Sequence, residues 1–266
     1  MADLDLLRER LAAMGRLVLG YSGGVDSAVL AVAARQAVGP DAFLAVIGRS
    51  ASYPEAQHVQ ALDLARRFDI PLLEIPTREL ADPRYLANTT ERCFYCKSEL
   101  WTRLRAVADE GGYDALIDGT NATDLGEHRP GLRAAEERGV RSPLAELGWR
   151  KEDVRTAARA LGLPSADTPA SPCLSSRVLY GLGITPERLR QVELGEAWIR
   201  ATGITGDLRV RHHGSTARIE VSSAELEQVR SIWGRLVPFF QELGFEFVEL
   251  DPRGYRRGGL LALTVG

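Results

Sequence analysis

Only three of the chain's 266 residues are cysteines, Cys93, Cys96 and Cys173. Three thiols exclude a four-cysteine zinc site, and in a reducing compartment they point to metal ligands or reactive groups rather than a disulfide framework. Positive charge is not in excess either. The 33 Lys and Arg against 36 Asp and Glu leave a net charge of −3, which argues against a nucleic-acid binder that relies on overall basicity. No apolar run reaches the length of a membrane span, and the opening MADLDLLRERLAAMG holds none of signal-peptide length. The expectation is a soluble cytoplasmic protein without membrane or nucleic-acid partners. Internal repeats and low-complexity segments are absent as well.

What is present suits a globular chain. Hydrophobic residues make up 45% and charged residues 26%, enough to bury a core, and the length predicts one large domain plus a small one. Apolar runs at RLVLGY, AFLAVIG, PLLEIP and YDALIDGTN alternate with helical stretches such as VDSAVLAVAARQAVG and CKSELWTRLRAVADEGG, with a short fifth run in RSPLAEL. Alternation of this kind predicts βαβ units and a parallel sheet. The pattern changes near residue 184. There Thr185 and Pro186 read as N-cap and first helical residue, and DLRVRHHGSTARIEV reads as a hairpin. The expected domains are an α/β domain over 1–170, a cysteine-bearing connector over 171–183 and a small α+β lobe over 184–266.

The stretch LVLGYSGGVDSAVLAV joins a strand to a helix through Ser22, Gly23, Gly24, Val25, Asp26 and Ser27. Two glycines let the backbone approach a phosphate closely, and the helix that follows directs free N–H groups at it. An ordinary tight turn is the plain alternative. The loop lacks the Lys-Ser/Thr ending of a Walker motif and the spacing of a dinucleotide fingerprint.

A lone C-x-x-C is compatible with half a zinc site, a redox pair or incidental residues. Three soft thiolates also suit a 4Fe-4S cluster with one iron open. A Cys₃His zinc site stays possible, although His58, His128, His212 and His213 show no zinc-ligand spacing to the thiols.

The hexapeptide SGGVDS resembles the signature of the PP-loop ATP pyrophosphatases. That resemblance implies an α/β fold with sheet order 3-2-1-4-5 and cleavage of ATP to AMP and pyrophosphate. It further implies that Ser22 and Ser27 donate to phosphate oxygens and that Asp26 organises phosphate and Mg²⁺. Gly119, Thr120 and Asp124 would face the loop from the end of strand 4, and Ser50 would contact the adenosine. For Asp124 a helix cap or solvated loop acid is an equal alternative. Together with CFYCK, RPGLRAAEERGVRSPL, PCLSSR, LRVRHH and GFEFVELDPRGYRRGG, the loop is similar to the LarE-type sulfur transferases of nickel-pincer nucleotide biosynthesis. The likeness runs from about residue 3 to residue 260. It implies adenylation of a carboxylate of a pyridinium-dicarboxylate mononucleotide, followed by replacement of AMP with sulfur.

In one style of that family a protein cysteine is sacrificed. Its aligned position here is Pro172, one before Cys173. In the other style three cysteines carry a 4Fe-4S cluster, and this chain is similar to the second. The resemblance thus makes Cys93, Cys96 and Cys173 cluster ligands, gives Arg209 and Arg211 to phosphate or pyrophosphate, and gives catalytic roles to Cys173, Arg177 and Glu196. Read from the residues alone, the arginines are a solvated strand face and Glu196 a helix-surface acid. A homo-oligomer and a separate, unidentified sulfide donor are expected. The rival readings are a tRNA thiolation enzyme, an amidating ligase with a structural metal site, and a nucleotide-binding regulator without chemistry.

Overall fold

The computed structural model describes residues 3–126, 130–169 and 171–256. His128 and the outer ends of the RPGL and GYRRGG motifs lie outside the described residues. In chain order the helices and strands begin with α1 (Leu4–Ala12), β1 (Leu17–Gly20), α2 (Val25–Val38), β2 (Phe43–Arg49), α3 (Glu55–Arg67) and β3 (Leu72–Pro76). Next come α4 (Pro83–Leu86), α5 (Arg92–Gly111), β4 (Ala115–Ile117), α6 (Pro130–Glu136), α7 (Pro143–Glu146) and α8 (Lys151–Ala160). The last are α9 (Pro186–Ala201), β5 (Leu208–His213), β6 (Thr216–Val221), α10 (Leu226–Ser231), α11 (Trp233–Glu242) and β7 (Phe247–Leu250).

The chain divides into two compact units, Met1–Glu79 with Glu91–Ser171 and Leu80–Thr90 with Pro172–Gly266. In the first, four parallel strands pair in the order β3-β2-β1-β4. Successive β1 side chains point to opposite faces. Leu17 and Leu19 join α1, α2, α3 and α8 in one apolar cluster, while Val18 joins α5 and α6 on the other. Helix α2 is buried almost all round, as its run of Ala, Val and Leu dictates, and Gly39 ends it at φ +79°.

The anticipated fifth strand shrinks to one parallel bridge, Ile117 with Arg141. Pro143, the first residue of α7, has no N–H to extend a ladder and its fixed φ favours the helix.

In the second unit an antiparallel β5–β6 hairpin turns at Gly214-Ser215, with Gly214 at φ +76°, and β7 adds parallel to β6. The lobe runs α9-β5-β6-α10-α11-β7, with Thr185 capping α9 through the Arg188 amide and Pro186 at its first position. Gly195 of α9 lets the helix lie against Phe240, whose ring is 2.8 Å from where a Cβ would stand. Segment 80–90 belongs here through the buried Asn88. Its side-chain amide donates to the carbonyls of Leu179 and Leu182, each at 2.8 Å.

Candidate active site

Within the first unit the strand ends converge on the loop between β1 and α2. Gly23 has φ +71°, and a Cβ there would stand 2.5 Å from that of Ala61. Only glycine satisfies both demands. Gly24 is the N-cap of α2 and supplies no side-chain cap, so the first-turn N–H groups stay available to an anion. Nothing but Ser22 Oγ, at 3.5 Å, comes near its missing Cβ.

Side chains stiffen this cradle from within. Ser27 Oγ donates to the Gly24 carbonyl (2.9 Å) and accepts from the Ser22 amide (3.3 Å). From outside, the Tyr53 hydroxyl (2.9 Å) and the Gln57 amide (2.6 Å) both donate to the Ser22 carbonyl. Burial pushes the Tyr53 phenol well above its ordinary range, so it remains a donor. Gly119, just past β4, packs where a Cβ would meet the Ser27 amide nitrogen at 2.9 Å. That close approach seats the end of β4 against the start of α2.

Asp26 faces two donors: Lys151 Nζ at 2.5 Å from Oδ2 and Asn121 Nδ2 at 3.1 Å from Oδ1. Lys151 opens α8 and Asn121 follows β4. Neither was singled out in the sequence, because only the fold brings them to a residue about a hundred positions away. Asp124 accepts from the Asn121 amide (3.2 Å), so it helps form the turn that presents Asn121. Asp118 closes the adjoining turn, accepting from the Thr120 amide and hydroxyl and from Ser142 Oγ. Val25 is buried and anchors the loop in the core. Ser50 donates to the buried Glu79, as does Ser52 (2.9 Å).

Cys93 and Cys96 occupy the first turns of α5, three residues apart and so on one helix face, and both are half-buried and outside any disulfide. Trp101, farther along α5, lies in the core.

Cys173 belongs to the second unit and precedes a short 3₁₀ turn over Leu174–Arg177. Its carbonyl accepts from the Ser176 amide (3.0 Å), Ser176 Oγ (2.7 Å) and Arg177 (2.9 Å). Arg177, 1% exposed, also donates to the Pro172 carbonyl and forms a two-pronged pair with Glu196 at 3.0 and 3.1 Å. The same carboxylate accepts from the Val210 amide at 3.1 Å. The structure thus brings Arg177, Glu196 and the backbone around Cys173 together. Arg211 pairs with Glu220 (2.9 Å) and donates to the Ser176 carbonyl. Arg209 lies against the Tyr255 ring, and burial first, then the charge of Arg177, lowers it from the ordinary arginine value. These arginines are buried, not the solvated strand face that alternation alone would give. Among the described residues no three His, Cys, Asp or Glu are gathered as a metal site, and no helix is long and apolar enough to cross a membrane.

Residues 4–110 match the family model described as NAD synthase. Over 97% of both chains, the protein is 42% identical to an uncharacterised protein of Synechocystis. It is 33% identical, over 97% of its own length and 95% of the relative's, to the pyridinium-3,5-bisthiocarboxylic acid mononucleotide synthase of Lactiplantibacillus plantarum. A protein of Methanocaldococcus jannaschii is 28% identical over 91% of each chain.

Proposed function

This chain belongs to the PP-loop family of the pyridinium-3,5-bisthiocarboxylic acid mononucleotide synthases, the LarE family, and from that premise we propose that it is an ATP-dependent sulfurtransferase. Its substrate is a carboxylate of pyridinium-3,5-dicarboxylate mononucleotide. The observation that carries the reading is the uncapped N-terminus of α2 behind the Gly23–Gly24 turn, faced by Asp26 and Lys151.

A carboxylate resists attack until one oxygen becomes a good leaving group. The substrate oxygen attacks the α-phosphorus of ATP, the bond to the β-phosphate oxygen breaks, and pyrophosphate departs. Backbone N–H groups of Gly24 and the first turn of α2, with the Ser22 hydroxyl, take the negative charge of the leaving pyrophosphate, and Ser27 joins them by turning its proton away from the Gly24 carbonyl. Asp26 fits a role toward Mg²⁺, since a carboxylate with one donor on each oxygen keeps lone pairs for a cation. A sulfur nucleophile then adds to the acyl carbon and expels AMP, leaving the thiocarboxylate.

The donor set suits a 4Fe-4S cluster. Three cysteines stand outside any disulfide, two of them on one helix face, and soft ligands without a fourth leave one iron open. Cys93, Cys96 and Cys173 would hold it, and when bound it supplies that open iron for sulfide. Arg177 and Glu196 fix the backbone around Cys173, while Arg209 and Arg211 supply positive charge for a phosphate.

The test is anaerobic incubation with ATP, Mg²⁺, sulfide and the dicarboxylate mononucleotide. The expected products are pyrophosphate, AMP and a thiocarboxylate seen by mass spectrometry, with no turnover when tRNA replaces the substrate. Wild type should hold about four irons per chain and Cys173→Ala clearly fewer. Pyrophosphate release without thiocarboxylate would leave an adenylating enzyme of another kind, and full iron in the variant would remove Cys173 from the ligand set.

A further inference from the structure

We propose that Tyr53 and Gln57 are positioning residues of the glycine loop: together they hold the Ser22 carbonyl toward α3 and so keep it from facing the anion. The proposal rests on the reading that this loop takes pyrophosphate.

The peptide group between Ser22 and Gly23 can be built in two ways. A half-turn of its plane exchanges the sides of the carbonyl and the N–H and reverses the sign of φ at Gly23. Gly23 sits at φ +71°, and glycine takes either sign at little cost. The backbone alone therefore leaves both orientations open. One offers an N–H to the anion. The other offers a carbonyl oxygen, whose negative end would oppose it.

Two side chains from the neighbouring helix make the choice. Tyr53, just before α3, donates its hydroxyl to the Ser22 carbonyl at 2.9 Å, and Gln57, in the first turn of α3, donates its amide at 2.6 Å. A carbonyl oxygen has two lone pairs, so both are taken, and turning the peptide would break both bonds. Because the peptide is planar and trans, the Gly23 N–H points away from the two donors. Among the described residues that N–H has no hydrogen-bond partner.

Both donors are themselves held. The Tyr53 amide donates to the Ser50 carbonyl (3.1 Å), its ring meets His58 edge-on at 6.2 Å between centroids, and burial keeps its phenol protonated. Gln57 stands one turn before Ala61, on the face of α3 against which Gly23 packs. Its Oε1 is buried with no partner among the described residues. A buried acceptor left open calls for a reason. Here the reason is the direction of Nε2: the Ser22 carbonyl only accepts, so the amide can meet it one way round.

The test is calorimetric titration of the whole chain with inorganic pyrophosphate in Mg²⁺ and, separately, with AMP, which lacks the phosphates the loop would take. Tyr53→Phe and Gln57→Leu should each weaken pyrophosphate by about threefold, since the other donor still holds the carbonyl. The double variant should weaken it about 100-fold, more than the product of the singles, because the peptide is then free to turn. AMP should bind all three variants as it binds wild type. Unchanged pyrophosphate affinity in the double variant, a loss no larger than the product of the singles, or equal losses for AMP and pyrophosphate would overturn the proposal. Should the double variant fail to fold, the singles decide it by the same comparison of the two ligands. Wild type that binds AMP but no pyrophosphate would instead remove the loop as a pyrophosphate site, and this proposal with it.

Discussion

Lys151 Nζ stands 2.5 Å from Asp26 Oδ2, joining the first residue of α8 to the loop that opens α2. Both side chains are a quarter or so exposed, so the pair adds at most about 1 kcal/mol to stability. Its position beside the loop proposed to take pyrophosphate gives it another use. Lys151→Met is expected to leave the melting temperature within a few degrees of wild type while pyrophosphate release falls about 100-fold, as when one charge-stabilising donor is lost. A large drop in melting temperature with activity retained would make the pair structural.

The two loop glycines should part company. Gly23→Ala combines φ +71° with a clash against Ala61, and a loss of about 2 kcal/mol or more in urea unfolding is expected. Gly24→Ala meets no such obstacle, since φ −72° suits any residue and only Ser22 Oγ is near. It should fold normally and bind ATP about tenfold more weakly, because the methyl enters the space a phosphate oxygen would use. Equal stability losses in both variants would contradict this account.

Arg177 and Glu196 form a buried pair whose side chains are 2% and 17% exposed. Removing one partner strands a charge, at a cost of about 3–5 kcal/mol. Arg177→Ala and Glu196→Gln should therefore lower stability before any effect on turnover is read. The double variant should lose less than the sum of the singles. Additive losses in a double-mutant cycle would show that the two residues act independently.

His212 is held neutral by the fold. Its Nε2–H faces Gln191 Oε1 at 2.9 Å and its Nδ1 is buried without a partner among the described residues. Burial first, then the Arg188 charge, lowers it from 6.5 to about 4. Between those values the unfolded chain binds a proton that the native chain refuses, so stability falls as pH drops from about 6.5 toward 4. The expected loss is on the order of 2 kcal/mol. His212→Gln should flatten that part of the curve in urea unfolding measured at several pH values. An unchanged pH slope in the variant would assign the acid sensitivity to other groups.

Local chemistry was enough to read the parallel sheet, the glycine loop, the Thr185–Pro186 helix start and the hairpin. Strand alternation, helix caps and φ-positive glycines act over a few residues, so the turn at SGGVDS is legible from its own residues. Partners distant in the chain were not legible. Nothing near Asp26 names Lys151 or Asn121, nothing near Ser50 names Glu79, and alternation along β5 could not reveal that Arg209 and Arg211 are buried. Segment 80–90 gives no local sign that Asn88 satisfies carbonyls some ninety residues later. Short-range sterics and hydrogen bonding are written residue by residue. Burial and charge pairing depend on which strands become neighbours, and that is decided only when the chain closes on its core.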